Sequence, residues 1–406
     1  MVSRENRCYT GSVAGVFADS FGHYNTAGIE LKYSTVGGSL QNNPLNVRTL
    51  QSAPALSQSL EIQAGDAPTI INFTCPADTS QTYSVAPQFY NFAVGLAYKT
   101  GALNGTIFTL IRNLNISPSP PETLLYLVLN ADGSLSLYTS GAVLVGSSAA
   151  GVISTGQFYY ITLSADIGGF SETTFATVNV VNCTTLAAGV DVISVSGFTL
   201  IDQFIDEIDF SGPASPDHAW VNDFYIQDLS DGSTVPFAPN ILACLPNADG
   251  TALNIWVPNN SQPWQPTSSA HFPLVNPVPE DESTGIQWNV GYLTGQAPQC
   301  AETLRYDCSG LPDGRAIQSI QAAALAKYVG TLGSGFGLIG PGFYFQQNSD
   351  GTPWNGNVTP FTAKPAMPFV FFFSENDVDP VANNPWLVSD WKSGVWQAGP
   401  TTYIPF

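Results

Sequence analysis

Between Val13 and Asp228 the chain alternates short runs of β-branched, aromatic and aliphatic residues with clusters of Gly, Pro, Asn, Asp and Ser. That is the pattern left by strands joined through turns. The clearest runs are Ile29 to Tyr33, Thr69 to Thr74, Phe89 to Tyr98, Thr106 to Arg112, Leu124 to Asn130, Ser134 to Tyr138, Phe158 to Ala165 and Thr174 to Val181. Most have ordinary strand length. After LLYLVLN come Ala131, Asp132 and Gly133, and then SLSLY alternates apolar with polar. A glycine that can take positive φ between two such runs predicts an antiparallel hairpin. Many short strands without an interleaved helical pattern predict an all-β protein, with a β-sandwich of jelly-roll type over residues 1–230.

Trp220 to Gly250 reads as an apolar strand carrying Asn222 and Asp223, a Ser/Asp/Gly hairpin turn, and a second strand, ILACLPNADG. This predicts the last strand of the sandwich and its exit into a second domain over 231–406. A length of 406 residues agrees, because domains usually run to roughly 100–200 residues. In this second part Asn254 to Pro279, rich in Pro, Asn, Gln and Trp, reads as surface loop. Gly330 to Gly342 lacks the Lys-Ser/Thr ending of a phosphate-binding loop and reads as loops between short strands. Arg315 to Tyr328 has the Ala, Leu and Gln content of a helix, with Gly330 just beyond it.

Composition reinforces the sheet. Only 10% of residues are charged, against roughly a quarter in an average soluble domain, and helical proteins normally solvate their outer faces with Lys and Glu. The net charge of −20 disfavours nucleic acid and anionic lipid as partners. No run of about 18 apolar residues predicts a membrane helix, and MVSRENRCYTGS lacks the apolar core of a secretory signal. Cys8, Cys75, Cys183, Cys244, Cys300 and Cys308 include no CxxC pair, so no zinc cluster is expected. Cys300 and Cys308 are close enough in sequence to bridge a loop, but reduced, partly buried thiols are the preferred reading. His23, His218 and His271 lie beside no Gly-x-Ser-x-Gly elbow and read as surface or loop histidines.

Several stretches resemble a known family. FADSFGHYNTAGIELKYSTV (Phe17 to Val36), NADGSLSLY with GQFYYITLSA, and WVNDFYIQD resemble, in this order, the opening strands, central hairpin and closing strand of the concanavalin A-like lectin/glucanase domain in bacteriophage virion and tail proteins. MPFVFFFSENDVDPVANNPWLVSDWKSGVWQAG (Met367 to Gly399) resembles that family's terminal strand, Asp-Pro loop and short helix. The resemblance implies a concanavalin-like sandwich followed by a smaller C-terminal β domain with a short terminal helix. It also implies a strand at 315–328, which is the expectation adopted here. It further implies a virion structural protein of the tail, fibre or surface-decoration kind, located in the virion. Its partners would be other virion proteins, its own copies as a homo-oligomer, and host-surface polysaccharide. An extracellular carbohydrate-binding protein or glycoside hydrolase on the same sandwich is the competing class.

Chemistry concentrates in IDEIDFSG (Ile205 to Gly212), where Glu207 and Asp209 are two apart and would share one face of a strand. Glycosidases on this sandwich carry a second Glu further along that strand, and retention needs two carboxyls about 5 Å apart. Here that position is Ser211 or Gly212, so the acids read as a strand edge, solvated or capping amides, and no enzyme activity is expected. Asp202, Asp206, Asp209, Asp223 and the turns at Asn130 and Asn247 could hold a structural Ca²⁺, although no complete ligand loop is legible and no other cofactor is expected. Trp220, Tyr225, Trp256, Trp264 and Trp288 could stack on sugars. Of these, Trp256 and Trp264, flanked by Pro and Asn, are the ones expected to be exposed.

Overall fold

The computed structural model describes residues 16–21, 33, 36–42, 58–72, 90–112, 121–167, 174–185, 188–200, 205, 207–214 and 217–229. It further describes 235, 238–239, 241, 244–249, 256–258, 286–288, 300–301, 304–311, 313, 317, 320–326, 340–347, 353–355, 370–376 and 386–403. Contacts divide the chain into two compact units, one built almost wholly from 13–241 and the other from 242–406.

The first unit contains β1 (Val16–Asp19), β2 (Ser39–Asn42), β3 (Gln58–Gln63), β4 (Thr69–Asn72), β5 (Asn91–Thr100), β6 (Gly105–Arg112) and β7 (Glu122–Leu129). These are followed by β8 (Leu135–Thr139), β9 (Val143–Ser147), β10 (Phe158–Asp166), β11 (Phe175–Asn182), β12 (Val190–Ser196), β13 (Glu207–Phe210) and β14 (His218–Asp228). An eight-stranded sheet runs β12-β11-β10-β5-β14-β3-β2, with β1 also on β14, and a six-stranded sheet runs β4-β13-β6-β7-β8-β9. All pairings are antiparallel, and neighbours such as β5 with β14 or β6 with β13 are distant in sequence. A chain that returns repeatedly between two antiparallel sheets is a jelly-roll sandwich, here of the concanavalin-like kind.

The core lies between the sheets. Leu125, Leu127, Leu135, Leu137, Ile208 and Phe210 face Phe92, Val94, Leu96, Ile161, Leu163 and Phe224, and all twelve are fully buried. Phe210 and Phe224 meet edge to face with ring centroids 4.5 Å apart. The predicted hairpin is β7–β8, with Leu127 opposite Leu137 and Gly133 at φ 77° in its turn. The far side of β14 is shared, β3 taking His218 to Val221 and β1 taking Phe224 to Gln227. Where one gives way to the other, Asp223 has φ 46° and the ladder to β5 shifts register. Nearby, the buried Asp19 carboxylate accepts hydrogen bonds from the Phe21 amide and the Tyr33 hydroxyl. Of the predicted strand Ile29 to Tyr33, only Tyr33 is among the described residues.

The second unit contains β15 (Leu245–Asp249), β16 (Trp256–Pro258), β17 (Ile286–Trp288), β18 (Cys300–Ala301), β19 (Leu304–Asp307) and β20 (Ile320–Ala326). It continues with β21 (Gly340–Gln347), β22 (Pro353–Asn355), β23 (Val370–Asn376), the helix α1 (Val388–Lys392) and β24 (Trp396–Tyr403). One sheet runs β15-β19-β24-β21-β22 with β18 on β24, and β16–β17 and β20–β23 form separate pairs. Its core gathers Cys308, Trp386, Trp391, Trp396 and Ala398, with Trp386 edge-on to Trp396 at 5.0 Å.

Two expectations need correction here. The strand expected to return on β14 as a hairpin, β15, pairs instead with β19. The Trp-rich segment expected to be loop contributes β16, with Trp256 directly opposite Trp288. The expected short C-terminal helix is present as α1, and β24 follows it. At 315–328 the strand expectation holds over Ile320–Ala326, where seven ladder positions to β23 override the helical propensity of Ala and Leu.

Candidate functional site

The acidic pair sits on β13, an interior strand between β4 and β6, and not on a sheet edge. Because side chains alternate, Ile208 and Phe210 enter the core while Glu207 and Asp209 point to the outward face of the six-stranded sheet. Glu207 is nevertheless only 6% exposed, which corrects the reading of solvated acids. Asp209 Oδ1 is buried and has no hydrogen-bond partner among the described residues. Burial, and second the neighbouring charge of Glu207, push the Asp209 carboxyl up to about 7. The next outward position is Ser211, so the second Glu of the glycosidase pattern has no counterpart at that place on the face.

Register then extends the face away from the acids. Asp209 lies opposite Thr109 on β6, Thr109 opposite Tyr126 on β7, Tyr126 opposite Tyr138 on β8, and Tyr138 opposite Leu144 on β9. Strands are spaced about 4.8 Å apart, so this row crosses the sheet perpendicular to the strands. Tyr126 and Tyr138 are half-buried and stack with centroids 5.2 Å apart and planes 12° from parallel. Beside them Leu144 is exposed. The adjacent row carries Ser136 and Ser147, whose hydroxyls are 2.9 Å apart. The outward face therefore combines a carboxyl that titrates near neutrality, a threonine, a tyrosine pair, serines and an exposed leucine. Sequence reasoning did not single out Tyr126 and Tyr138. Their signal was present in the alternation of LLYLVLN and SLSLY, which places them opposite in phase to the core leucines.

The opposite face of the sandwich differs. On the outward side of the eight-stranded sheet, Ala93, Ala97, Phe158, Tyr160, Val181, Cys183, Tyr225 and Leu229 form a second buried cluster, with Trp220, Val235, Ala238 and Ile241 packed against it. Tyr225, expected as a stacking residue, is 2% exposed, stacks on Tyr160 at 6.3 Å, and bonds Thr162, with burial holding its hydroxyl above the ordinary phenol range. A Cβ on Gly95 would lie 2.4 Å from the Tyr225 ring and 2.9 Å from the Tyr160 ring, which explains the glycine. Trp220 is half-buried, with the Lys99 ammonium 5.0 Å from its centroid and the His218 ring stacked at 5.8 Å. His218 lies in no loop but begins β14, and its Nδ1 lies 2.8 Å from Glu61 Oε1.

The remaining candidates do not converge. Asp202, Asp206, Trp264, His23 and His271 lie outside the described residues, and Trp256 and Trp288 are placed only by their strands. Asn130 donates to the Ser134 and Ser136 hydroxyls, and Asp132 accepts from the Ser134 amide and hydroxyl, so that turn satisfies its own polar groups. Asp223 is buried in the eight-stranded sheet, away from Asp209 in the other sheet. Among the described residues no three His, Cys, Asp or Glu side chains form a group that could hold a metal ion, and no helix is long and apolar enough to cross a membrane.

No protein-family model matches the chain, and no curated protein sequence matches it. Solved structures are similar to part of the chain at low identity. The VIP36 exoplasmic/lumenal domain in its Ca²⁺/Man3GlcNAc-bound form is 10% identical, covering 45% of this chain and 81% of that one with a TM-score of 0.30. Peanut lectin with a 9-residue peptide is 7% identical, covering 53% and 97% with a TM-score of 0.32. The carbohydrate esterase vb_24B_21 of the Shiga toxin-encoding bacteriophage phi24B is 9% identical, covering 53% and 99% with a TM-score of 0.28.

Proposed function

We propose that this chain is a structural component of a bacteriophage virion, a tail, fibre or surface-decoration protein. In this reading its sandwich contacts host-surface polysaccharide through the outward face of the six-stranded sheet. The observation that carries the glycan contact is the cross-strand row Asp209, Thr109, Tyr126 and Tyr138. Aromatic surface beside hydrogen-bonding groups on a rigid sheet is the combination that sugar recognition uses. The virion role is supported by the order of the family-like motifs and by the scarcity of charge, which leaves assembly with other virion proteins, and with copies of itself, to apolar and neutral polar contact. The role is binding and scaffolding, without turnover.

The test has two arms. Mass spectrometry of purified virions should find the chain in stoichiometric amounts, and its absence from particles would reject the virion role. On a glycan array the wild type should bind, and Tyr126→Ala and Tyr138→Ala should lose the signal; undiminished binding by both variants would reject this face.

One observation favours a second reading. A carboxyl held near 7 beside another carboxylate is what a general acid in glycoside hydrolysis needs. Release of reducing sugar by the wild type, abolished in Glu207→Gln, would establish that reading in place of simple binding.

A further inference from the structure

Cys244 and Cys308 lie 64 positions apart in sequence and meet in the second unit. The ladder between β15 and β19 pairs Leu245 with Asp307 and Pro246 with Tyr306. Continued by one step, the same register sets Cys244 directly opposite Cys308. Directly opposed antiparallel residues have Cα atoms about 4.5–5.5 Å apart, inside the 4.4–6.8 Å that a disulfide spans. Both thiols are free, Cys244 packs on the cluster that contains Cys308, and the two thiols interact. Cys308 is 4% exposed in the cluster of Trp386, Trp391 and Trp396, and the half-buried Cys244 packs on that cluster from the solvent side.

We propose that Cys244 and Cys308 are a redox pair that closes to a cross-strand disulfide when the protein leaves a reducing compartment and meets a small-molecule disulfide. The Cys244 thiolate attacks one sulfur of the external disulfide, whose S–S bond breaks and releases one thiolate. The Cys308 thiolate then attacks the Cys244 sulfur of the mixed disulfide, forming the protein S–S bond and expelling the second small thiolate. Two protein thiols are oxidised, one external disulfide is reduced to two thiols, and the two protein protons pass to the expelled thiolates. The division of roles follows from the contact. Interaction with Cys308 lowers the Cys244 pKa in spite of burial, while that of Cys308 is raised, so Cys244, the less buried residue by surface area, is also the better nucleophile. The bond would tie β15, which opens the second unit, to the strand that enters its tryptophan core.

The full-length chain is incubated at pH 8 with oxidised glutathione or with dithiothreitol, alkylated, and digested without reduction. The oxidised sample should yield a Cys244 peptide linked to a Cys308 peptide, two hydrogens lighter than the sum of the two thiol peptides. Closing a loop of this length should raise the melting midpoint of the second unit by about 5–10 °C. Cys244→Ser and Cys308→Ser should each abolish the link and the shift, and Cys300→Ser should abolish neither. A link from Cys308 to Cys300, or glutathione held on Cys244 with no linked peptide, would overturn the proposal. The peptide mapping is made on the wild type, so it decides even if a variant fails to fold.

Discussion

On the outward side of the eight-stranded sheet, Tyr160 and Tyr225 are buried beneath a layer that the chain's own exit segment helps to build. On the outward side of the six-stranded sheet, Tyr126 and Tyr138 stack half-exposed, beside exposed Leu144. Both faces carry a tyrosine pair, Tyr126 and Tyr138 on adjacent strands and Tyr160 and Tyr225 on the two strands that flank β5, yet one has become core and the other has remained surface. Cover on both faces leaves Phe92–Tyr98 of β5 and Val221–Ile226 of β14 buried at every successive position, whereas β7 keeps the alternation of a half-covered strand. The lesson is that a sandwich has two outward faces, and which of them can meet a partner depends on where the chain leaves the fold.

The strongest way to break this comparison is to truncate a tyrosine from each face. Tyr225→Ala removes a fully buried ring and its bond to Thr162, and should cost about 3–5 kcal/mol of sandwich stability in urea unfolding. A loss under about 1 kcal/mol would mean that the second layer is not a packed core. Next in size is Gly95→Ala. Its Cβ would collide with both buried rings, and overpacking of this kind should cost about 1–3 kcal/mol.

Asp209→Asn sharpens the electrostatic side of the contrast. The folded state keeps the Asp209 proton up to about pH 7, while the unfolded chain releases it near pH 4. Between those values the unfolded state binds fewer protons, so stability falls as pH rises through this window and stays reduced above it. The variant removes that penalty. With allowance for partial solvent screening, it should be more stable than the wild type by about 1–2 kcal/mol at pH 8 and equal to it near pH 3. Chemical unfolding at the two pH values measures the difference, and a variant without gain at pH 8 would place the Asp209 carboxyl in ordinary solvent.

Much of the sandwich was legible because its signals are local. Thr69 to Thr74, Phe89 to Tyr98, Leu124 to Asn130 and Phe158 to Ala165 each hold enough β-branched and aromatic residues to read as strands, and Asp132–Gly133 marks the hairpin. The strands β9 and β12 were not singled out, since VLVGS and VDVISVS are short and mostly exposed. What could not be read is pairing between distant segments. The strand β14 does end at Asp228, but nothing in the residues after it says that β15 will find β19 and not β14. For the same reason spacing suggested Cys300 for Cys308, while register supplies Cys244. The acidic pair was found from its spacing of two, but its burial depends on neighbours that the motif does not contain. Tyr225 was offered as a sugar platform and Tyr126 was not, because a tyrosine's exposure is settled by what covers it.

Tyr126→Ala should have the smallest effect on stability and the clearest effect on binding. The ring is half-buried and its principal neighbour is Tyr138 across the ladder. Cross-strand pairs of this kind contribute roughly 0.2–1 kcal/mol, so its unfolding midpoint should barely move beside that of Tyr225→Ala. If the open face grips glycan, the same substitution should weaken binding about tenfold or more, because a centrally placed aromatic anchor carries a disproportionate share of contact energy. Titration of a glycan-array hit by calorimetry separates the two quantities. Equal loss of stability and affinity would mean that this face, too, is core, and intact affinity would move the contact elsewhere on the molecule.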